Sequence, residues 1–454
     1  MAYRILMRHD GVAGWEGDRD DFFASLHKAR ADLQSELETR LRNILIHAGE
    51  SSPYYKRLWR EVGLSPATEN FPESLQRYPF LTKDLIRSNA AEMVSDKYDL
   101  KALDPDFTSG TTSARTTFYR NRACTVSRVG RQWGVLQHCG YAPGMRRGLI
   151  WGVSSDLPQP GAAKHLRRLF REYAASQEVL GCKVVSDNDM LEFHRRLVRF
   201  RPAVLYGYPS ALVQFGAFVQ DRGLEPISVA TVLTTAERLT PKQRDLLRAA
   251  FSAETFNLYC TREYGCIGFE CARHNGLHID TGSVYVEIIR DGRRVSDGET
   301  GEITITDLLN YGMPLIRSRT GDIGSLSKTP CECGLPLPLL KSLDGRVFDN
   351  IYRPDGSVVA GVLLSYLFLD IPAIRATQYV QKNIQELRVF LEVTDDFTDA
   401  MEAEATRQLR ERMGNDLRIS IHRVDAIPRN PLSGKYQEVI SEIARSERML
   451  PVAG

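Results

Sequence analysis

Short apolar runs alternate with helical stretches between about residue 100 and residue 345. The apolar runs are GLIWGV at 148–153, AVLYGY at 203–208 and ATVLTTAE at 230–237, and the helical stretches are HLRRLFREY and TPKQRDLLRAAF. Runs that are apolar at almost every position are typical of strands buried on both faces of a sheet. The alternation therefore predicts an α/β fold in this part of the chain.

Two further patterns predict other elements. The segments SVYVEIIRDG and GEITITDL, within 283–308, alternate apolar and polar residues and carry the turn signals Asp291-Gly292 and Asp297-Gly298, which indicates a β-hairpin. Near the N-terminus, LRNILIHAG at 41–49 has a largely apolar stripe, which predicts a helix that ends at Gly49.

Beyond residue 345 the pattern changes to strand, helix, strand. LRVFLEV at 387–393 and LRISIH at 417–422 alternate as strands do. Between them a helix is predicted to begin after Thr398, its N-cap, and to end before Gly414. We therefore predict two domains, residues 1–344 and residues 345–454.

The composition excludes several classes of protein. The 454 residues are 43% hydrophobic and 26% charged, as in globular proteins rather than disordered chains. A net charge of +2 argues against a nucleic-acid partner. No apolar run approaches the roughly 18–20 residues that span a bilayer, so no membrane partner is expected. The N-terminus becomes polar too early for a signal peptide, and we expect a cytoplasmic protein.

Five of the 8 cysteines lie close together in the sequence. They are Cys260, Cys266, Cys271, Cys331 and Cys333, and the same stretch holds His274 and His278. In a large chain without a secretion signal, such a cluster favours metal binding over disulfides.

Four segments carry residues suited to chemistry. FTSGTTSARTTFY at 107–119 is rich in hydroxyls and glycine that can surround phosphate oxygens, although an ordinary surface loop explains the composition about as well. NLYCTREYG at 257–265 places an aromatic residue four positions before an acid. PLIRSRTGDIG at 314–324 places an aspartate after a glycine, where it can accept hydrogen bonds from a ribose or simply close a turn. IPRNPLSGKYQ at 427–437 carries a lysine in a glycine turn, which is usually exposed to solvent.

These four segments, with Gly345-Arg346 between the last two, follow one another in an order that resembles the order of motifs in the adenylate-forming superfamily. Within it, the chain is most similar to the phenylacetate–coenzyme A ligase branch and its capsular-locus relatives. Three further segments carry that part of the resemblance, namely SSPYYKRLW, FPESLQRYPFLTKDLI and LYGYPSALVQFG.

The resemblance implies an α/β fold with a large N-terminal domain of stacked β-sheets flanked by helices and a small, mobile α+β C-terminal domain. It implies that ATP activates a carboxylic acid, expected to be aromatic, to an acyl-adenylate with release of pyrophosphate. The acyl group would then pass to an acceptor, either coenzyme A or an amine. A homodimer is a further expectation from the family.

The resemblance also assigns roles to residues. Lys435, Glu263 and Arg346 would be catalytic, with Glu263 holding Mg²⁺ and Lys435 joining the carboxylate to the α-phosphate. The residues expected to bind ATP are Thr108, Ser109, Gly110, Thr111, Thr112, Glu237, Tyr259 and Asp322. A pocket for the acid could draw on Trp133, Tyr141, Trp151, Tyr206 and Tyr208, which are equally suited to a core.

A zinc site is implied as well. Cys271-x6-His278 followed by Cys331-x-Cys333 resembles a site of phenylacetate-ligase relatives, and these four residues would close a tetrahedral shell around a structural Zn²⁺. His274 or Cys266 could replace one of these four ligands.

Two other functions remain as alternatives. In the first, the protein is an adenylyltransferase that moves AMP onto a hydroxyl of a small molecule or glycan precursor. In the second, it is a binding homologue without activity, against which the joint presence of Glu263, Asp322 and Lys435 argues. The segment DNIYRPDGSVVAGVLLS stands where thioester-forming relatives have a glycine-rich stretch, which leaves the acceptor open.

Overall fold

The structure is a computed structural model that describes residues 12–107, 116–151, 176–181, 187–346, 350–354, 358–360, 364, 367–368, 371, 373–414, 416–428 and 437–443. The predicted helix HLRRLFREY and the end of the run GLIWGV lie outside these residues.

Most helices precede or connect the strands of one large sheet. Their bounds are α1 Trp15–Ser25, α2 Arg30–Ser51, α3 Pro53–Glu61, α4 Lys83–Met93, α5 Arg122–His138, α6 Asp187–Phe200, α7 Pro209–Asp221, α8 Pro241–Phe251 and, in the C-terminal part, α9 Asp399–Met413. Among the described residues, none of them is both long enough and apolar enough to cross a bilayer.

The strands form a two-stranded hairpin and a twelve-stranded sheet before residue 347. The hairpin contains β1 Asp104–Phe107 and β2 Thr117–Arg120. The strands of the sheet are, in chain order, β3 Arg147–Trp151, β4 Gln177–Gly181, β5 Val204–Gly207, β6 Thr231–Thr235, β7 Glu254–Thr261, β8 Gly265–Phe269, β9 Leu277–Ile279, β10 Val284–Arg290, β11 Arg293–Arg294, β12 Gly301–Asp307, β13 Ser318–Leu326 and β14 Leu339–Arg346. Their order across the sheet is β11-β10-β12-β13-β14-β9-β8-β7-β6-β5-β3-β4.

One half of the sheet is parallel and covered by helices on both faces. Strands β4, β3, β5, β6 and β7 are parallel neighbours, and every residue of β5 and β6 is buried. On one face Phe193, Phe215 and Phe251 of the helices pack against the sheet. On the other face Phe22 and Trp133 do so. The predicted α/β fold is thus confirmed, and β5 and β6 are buried along their whole length because neither face meets water.

The other half of the sheet is antiparallel. β10 pairs with β12 from Val284 opposite Asp307 to Ile289 opposite Glu302, which confirms the predicted hairpin, with the short β11 formed by its first turn. Helices α2 and α3 cover this half with Leu41, Ile44 and Trp59.

Helix α2 does not end at Gly49 but continues to Ser51. A side chain at position 49 would come within 2.7 Å of the Trp59 ring, so this glycine lets α3 pack closely against α2. Packing, and not termination, explains why a glycine stands there.

The C-terminal part contains two smaller sheets. β15 Asn350–Tyr352 pairs with β16 Val358–Ala360. A four-stranded sheet has the order β19-β18-β17-β20, with β17 Ile374–Asn383, β18 Glu386–Val393, β19 Arg418–Val424 and β20 Val439–Ser441. Thr398 Oγ1 accepts a hydrogen bond from the Met401 N–H at the start of α9, and Gly414 follows its end. The predicted strand–helix–strand order is confirmed, whereas the division after residue 344 stays a prediction.

Among the described residues, two polar contacts join the C-terminal sheet to helices α7 and α8. Arg375 Nη2 lies 2.9 Å from Asp221 Oδ2 at the end of α7, and Lys242 Nζ of α8 donates to the carbonyl of Ile374 at 3.1 Å. The Arg375–Asp221 pair is exposed, so it contributes little stability.

Buried ion pairs fix helix α5 to the sheet. Arg131 Nε donates to Asp280 Oδ2 at 2.6 Å, and Arg128 pairs with Asp307 at the end of β12. Burial alone would raise the pKa of Asp280, but the Arg131 guanidinium and the Ser283 hydroxyl hold that pKa below its usual value. The contribution of this carboxylate to the free energy of unfolding is therefore fully present at pH values above the usual aspartate pKa. It is lost as the pH falls through the lower pKa that Asp280 has in the folded protein.

We predict that Asp280→Asn lowers the free energy of unfolding by about 3–5 kcal/mol, because it leaves the buried Arg131 charge without a counterion. Chemical denaturation at pH 7, followed by tryptophan fluorescence, measures the change. Glu299→Gln is the matched control, since it breaks the exposed pair with Arg290 and is expected to cost less than about 1 kcal/mol. Equal stability of the two variants would contradict the prediction.

Candidate active site and metal centre

Tyr259 and Asp322 meet although their strands are far apart in the sheet. The Tyr259 hydroxyl donates to Asp322 Oδ2 at 2.6 Å, and both side chains are buried. β7 and β13 are four positions apart in the sheet order, which is about 19 Å in a flat sheet. The sheet must therefore bend sharply between them, and the bend brings the predicted adenine and ribose residues together.

Asp322 lies in β13 beside an irregularity of the β12–β13 pairing, and polar contacts hold the backbone there. Gly321 has a φ of 80°, and its N–H donates to Glu302 Oε1 at 3.2 Å. Glu302 also pairs with Arg319. The Asp322 N–H donates to Thr320 Oγ1 at 3.0 Å. The aspartate is thus oriented by its neighbours on β13 and by β12.

Sequence reasoning gave no role to Arg317, which lies directly before β13 and anchors its start. Its Nε and Nη2 donate to the two carboxylate oxygens of Glu287 at 3.0 and 3.1 Å, and Nη1 donates to the Tyr78 carbonyl at 2.6 Å. The guanidinium also lies over the Phe80 ring, with its carbon 4.2 Å from the ring centroid. The signal was an arginine placed directly after the apolar residues Leu315 and Ile316.

Glu263 and Glu237 approach the same region from other elements. Glu263 is half-buried in the tight turn between β7 and β8, four residues after Tyr259. Glu237 follows β6, and its Oε2 accepts a hydrogen bond from the Ser210 N–H at the N-terminus of α7 at 3.1 Å. β6 and β7 are neighbours, with Thr235 opposite Leu258. Both acids therefore lie beyond the carboxyl ends of adjacent strands, where open α/β sheets bind ligands.

Several predicted residues cannot be placed. Thr108, Ser109, Gly110, Thr111, Thr112 and Lys435 lie outside the described residues. For Arg346 the backbone is described, and it pairs directly with Asp322 across β13 and β14.

The aromatic residues considered for an acid pocket divide into two groups. Trp133 and Tyr141 contact each other in the core between α5 and the sheet. Trp151, Tyr206 and Tyr208 form a second group around the carboxyl ends of β3 and β5, with ring centroids 5.7 and 5.0 Å from that of Trp151. Only the second group lies at the sheet edge that carries Glu237 and Glu263.

The four predicted metal ligands come together. The ligand atoms of Cys271, His278, Cys331 and Cys333 all lie within 4.8 Å of one another. The Cys271 and Cys331 sulfurs are 3.8 Å apart, and Cys333 Sγ is 3.3 Å from His278 Nε2. Since ligands about 2.3 Å from a tetrahedral metal ion are about 3.8 Å apart, the spacing fits such an ion. The cluster could therefore hold a metal.

The ionisation of the cluster also suits a metal. Burial lowers the pKa of His278 to about 4, so its imidazole is neutral at pH 7 and can bind an ion. Burial raises the pKa of Cys271 to about 12 in the absence of an ion. Binding of a cation would then release the thiol proton.

The two alternative ligands face elsewhere. His274 Nδ1 lies 3.1 Å from Glu270, and its Nε2 lies 3.2 Å from Glu254. Cys266 lies opposite Cys260 in the pairing of β7 and β8. Neither belongs to the four-residue group.

The sequence is similar to phenylacetate-coenzyme A ligases. It is 25% identical to the enzyme of that name from Thermus thermophilus over 341 residues, which cover 71% of this chain and 72% of that protein. Residues 351–442 match the CapK C-terminal domain family.

The structure is similar to a 2-hydroxyisobutyryl-CoA ligase in its postadenylation state, with a TM-score of 0.75, 19% identity and coverage of 93% and 91% of the two chains. The chain has the fold of the adenylate-forming ligases. The amide bond synthetase McbA from Marinactinospora thermotolerans shares part of this fold, with a TM-score of 0.51, 17% identity and coverage of 73% and 68%. The predicted resemblance to adenylate-forming ligases, and to their phenylacetate–coenzyme A ligase branch, is confirmed.

For the same 2-hydroxyisobutyryl-CoA ligase in its thioesterification state the TM-score is 0.61.

We predict that the purified protein contains one tightly bound metal ion and that Cys331→Ser removes most of it. Serine lacks the thiolate that soft metal ions prefer. Elemental analysis after dialysis against a weak chelator measures the content. Cys139→Ser is the control, because Cys139 is buried but lies outside the cluster. Equal metal content in both variants would contradict the assignment of ligands.

Proposed function

We propose that this protein activates an aromatic carboxylic acid with ATP, forming an acyl-adenylate and pyrophosphate, and then transfers the acyl group to coenzyme A. The hydrogen bond between Tyr259 and Asp322 is the observation that carries the proposal. It brings together the two motifs expected to bind the adenine and the ribose, and the similarity to phenylacetate-coenzyme A ligases supports the reaction.

The adenosine would lie at the bend of the sheet. The Tyr259 ring would stack on the base, and Asp322 would accept hydrogen bonds from the ribose hydroxyls. Arg346, whose backbone pairs with Asp322, would reach the ribose or the α-phosphate. Glu237, which accepts a hydrogen bond from the Ser210 N–H, would contact the adenine.

Phosphates would bind at residues 108–112. When Mg²⁺ is bound, it would neutralise charge on the phosphates, and Glu263 is the carboxylate on the turn after β7 that would hold it. The acid's carboxylate would attack the α-phosphorus and expel pyrophosphate. Lys435 would contact both the attacking oxygen and the α-phosphate, and so offset the negative charge that develops there.

The acid would bind against the group of Trp151, Tyr206 and Tyr208. Tyr206 and Tyr208 are buried against Trp151, which is partly exposed at the carboxyl end of β3 and would present its ring to the acid. Aromatic rings favour edge and offset contacts with other rings, which suits an aryl or arylacetic acid.

Coenzyme A is the acceptor that the relatives favour. The 2-hydroxyisobutyryl-CoA ligase has been captured with 2-HIB-AMP and CoA, and the Thermus relative is named for the same acceptor. An amine is the second candidate, since McbA is an amide bond synthetase. In either case the acceptor attacks the acyl carbon and AMP leaves.

The cluster of Cys271, His278, Cys331 and Cys333 would hold a structural Zn²⁺. Three thiolates and one imidazole in tetrahedral array are typical of zinc, and four protein ligands leave no position for a water. His278 lies on β9, which joins the two halves of the sheet, so the ion would stabilise the bend and would take no part in the reaction.

The expected cytoplasmic location stays a prediction. The expected homodimer, and the absence of nucleic-acid or membrane partners, stay predictions.

We predict that aryl or arylacetic acids stimulate pyrophosphate release from ATP and Mg²⁺, whereas fatty acids and amino acids do so less. Lys435→Ala is expected to lower the rate about 10²–10³-fold, because it removes a fixed charge from the transition state. A coupled pyrophosphate assay over a panel of acids measures both effects. Lys382→Ala, which removes an exposed lysine of the same domain, is the control. No acid-dependent release with any class of acid would overturn the proposal.

A further inference from the structure

Polar contacts connect the start of β17 to helices α7 and α8. Lys242 Nζ donates to the carbonyl of Ile374 at 3.1 Å. Arg375, the next residue of β17, lies 2.9 Å from Asp221 between Nη2 and Oδ2. The pairing of β17 with β18 is irregular between Ile374 and Ala376, so the contact with Lys242 is made where β17 departs from its regular ladder.

Lys242 is held in place by the first turn of its helix. Thr240 Oγ1 accepts a hydrogen bond from the Gln243 N–H at 3.2 Å, and Gln243 Oε1 accepts one from the Thr240 N–H at 3.0 Å. These reciprocal bonds form a capping box, which fixes the start of α8. Because Lys242 lies between the two partners in the sequence, its backbone is held on both sides.

The segment that leads into α8 also carries a residue of the proposed nucleotide site. Glu237 follows the end of β6 by two residues and precedes Lys242 by five. Its Oε2 accepts a hydrogen bond from the Ser210 N–H at the start of α7. The two helices that contact β17 are therefore the ones joined through Glu237 at the carboxyl edge of the sheet.

β17 in turn supports the chain that follows Lys435. It pairs in parallel with β20. Gln378 Nε2 donates to the carbonyl of Gln437 at 2.9 Å. The Tyr379 N–H donates to the carbonyl of Glu438 at 2.7 Å. Lys435 precedes Gln437 by two residues, which span at most about 7 Å of chain. A shift of β17 therefore shifts the point from which Lys435 extends.

We propose that Lys242 is a positioning residue for Lys435 in the formation of the acyl-adenylate. This inference rests on the proposed function, in which Lys435 contacts the attacking oxygen and the α-phosphate. The hydrogen bond to Ile374 ties β17, and through it the chain after Lys435, to the segment that carries Glu237. Since a misplacement of about 1 Å can cost about 100-fold in rate, one contact at the start of β17 affects how well the Lys435 charge meets the transition state.

A packing contact without influence on the reaction is the alternative role. In that case Lys242 would only stabilise the contact between α8 and β17. The two roles differ in a measurable respect, because Lys435 acts in the first half-reaction, whereas loosened packing would disturb both half-reactions.

Separate rates of the two half-reactions in the full-length protein test the inference. Pyrophosphate release is measured with ATP, Mg²⁺ and phenylacetate, or the acid of the panel that gives the fastest release. Acyl transfer is measured with the synthetic adenylate of that acid and coenzyme A. For Lys242→Ala we expect about 10-fold lower kcat for pyrophosphate release, as for loss of a charged hydrogen bond, with the KM for ATP and the rate of acyl transfer unchanged. Lys242→Arg keeps a charged donor and should restore most of the rate.

A double-mutant cycle shows whether Lys242 acts through Lys435. In the Lys435→Ala background, Lys242→Ala is expected to change the remaining rate less than about 2-fold, because the group that it positions is absent. Lys83→Ala is the matched control. It removes a partly buried lysine from the first turn of another helix with a threonine cap, α4, and should leave both half-reactions unchanged.

Three results would overturn the inference. They are unchanged pyrophosphate release in Lys242→Ala, an equal loss in both half-reactions, and the same fold-loss in the Lys435→Ala background as in the wild type. Thermal melts show whether Lys242→Ala is folded. If it is not, Arg375→Gln, which breaks the exposed pair with Asp221, gives the same comparison with a smaller expected loss.

Failure of the proposed function gives a different pattern. Hydrogen exchange of peptides that contain residues 437–443 is measured without substrates. If Lys242→Ala speeds this exchange while no acid stimulates pyrophosphate release by the wild type, Lys242 supports the chain after Lys435 and the acid-activating reaction is wrong. If the wild type releases pyrophosphate and Lys242→Ala changes neither the exchange nor the rate, the proposed function stands and the inference is wrong.

Discussion

The bend in the large sheet is the constraint on which the site depends. Tyr259 and Asp322 belong to strands four positions apart, yet they share a hydrogen bond of 2.6 Å. Because a flat sheet would hold these strands about 19 Å apart, the parallel half must fold back toward the antiparallel half. Arg346 pairs with Asp322 across the neighbouring strands β13 and β14, so its backbone lies beside the same contact. The proposed nucleotide site thus depends on the junction between the two halves.

That junction is short and needs support. β9 has three residues, and it pairs with β14 through Leu277 and His278 and with β8 through His278 and Ile279. So few paired residues hold the angle between the two halves of the sheet only weakly. The cysteine and histidine cluster lies at the same place, with ligands from the loop after β8, from β9 and from the loop before β14. A metal ion there would tie the halves together, which couples a structural site to the geometry of nucleotide binding.

The sequence predicted the parts of the fold that depend on local pattern. Buried strands such as β5 and β6, and helix α9 with its Thr398 cap, follow from periodicity and capping chemistry. The four ligands of the metal cluster followed from residue type, spacing and resemblance. Contacts between distant segments could not be predicted. The anchoring of Arg317 by Glu287 depends on tertiary packing. Gly49 predicted a helix end, because the Trp59 ring beside it is known only from the fold.

The most direct test of the account follows oxygen from the acid. Phenylacetate labelled with ¹⁸O in its carboxylate is incubated with the protein, ATP, Mg²⁺ and coenzyme A, and the AMP formed is examined by mass spectrometry. If the carboxylate attacks the α-phosphorus and the thiol then attacks the acyl carbon, AMP leaves with one labelled oxygen. The account predicts AMP heavier by one ¹⁸O. Unlabelled AMP, or AMP retained on a hydroxyl-bearing product, would contradict it.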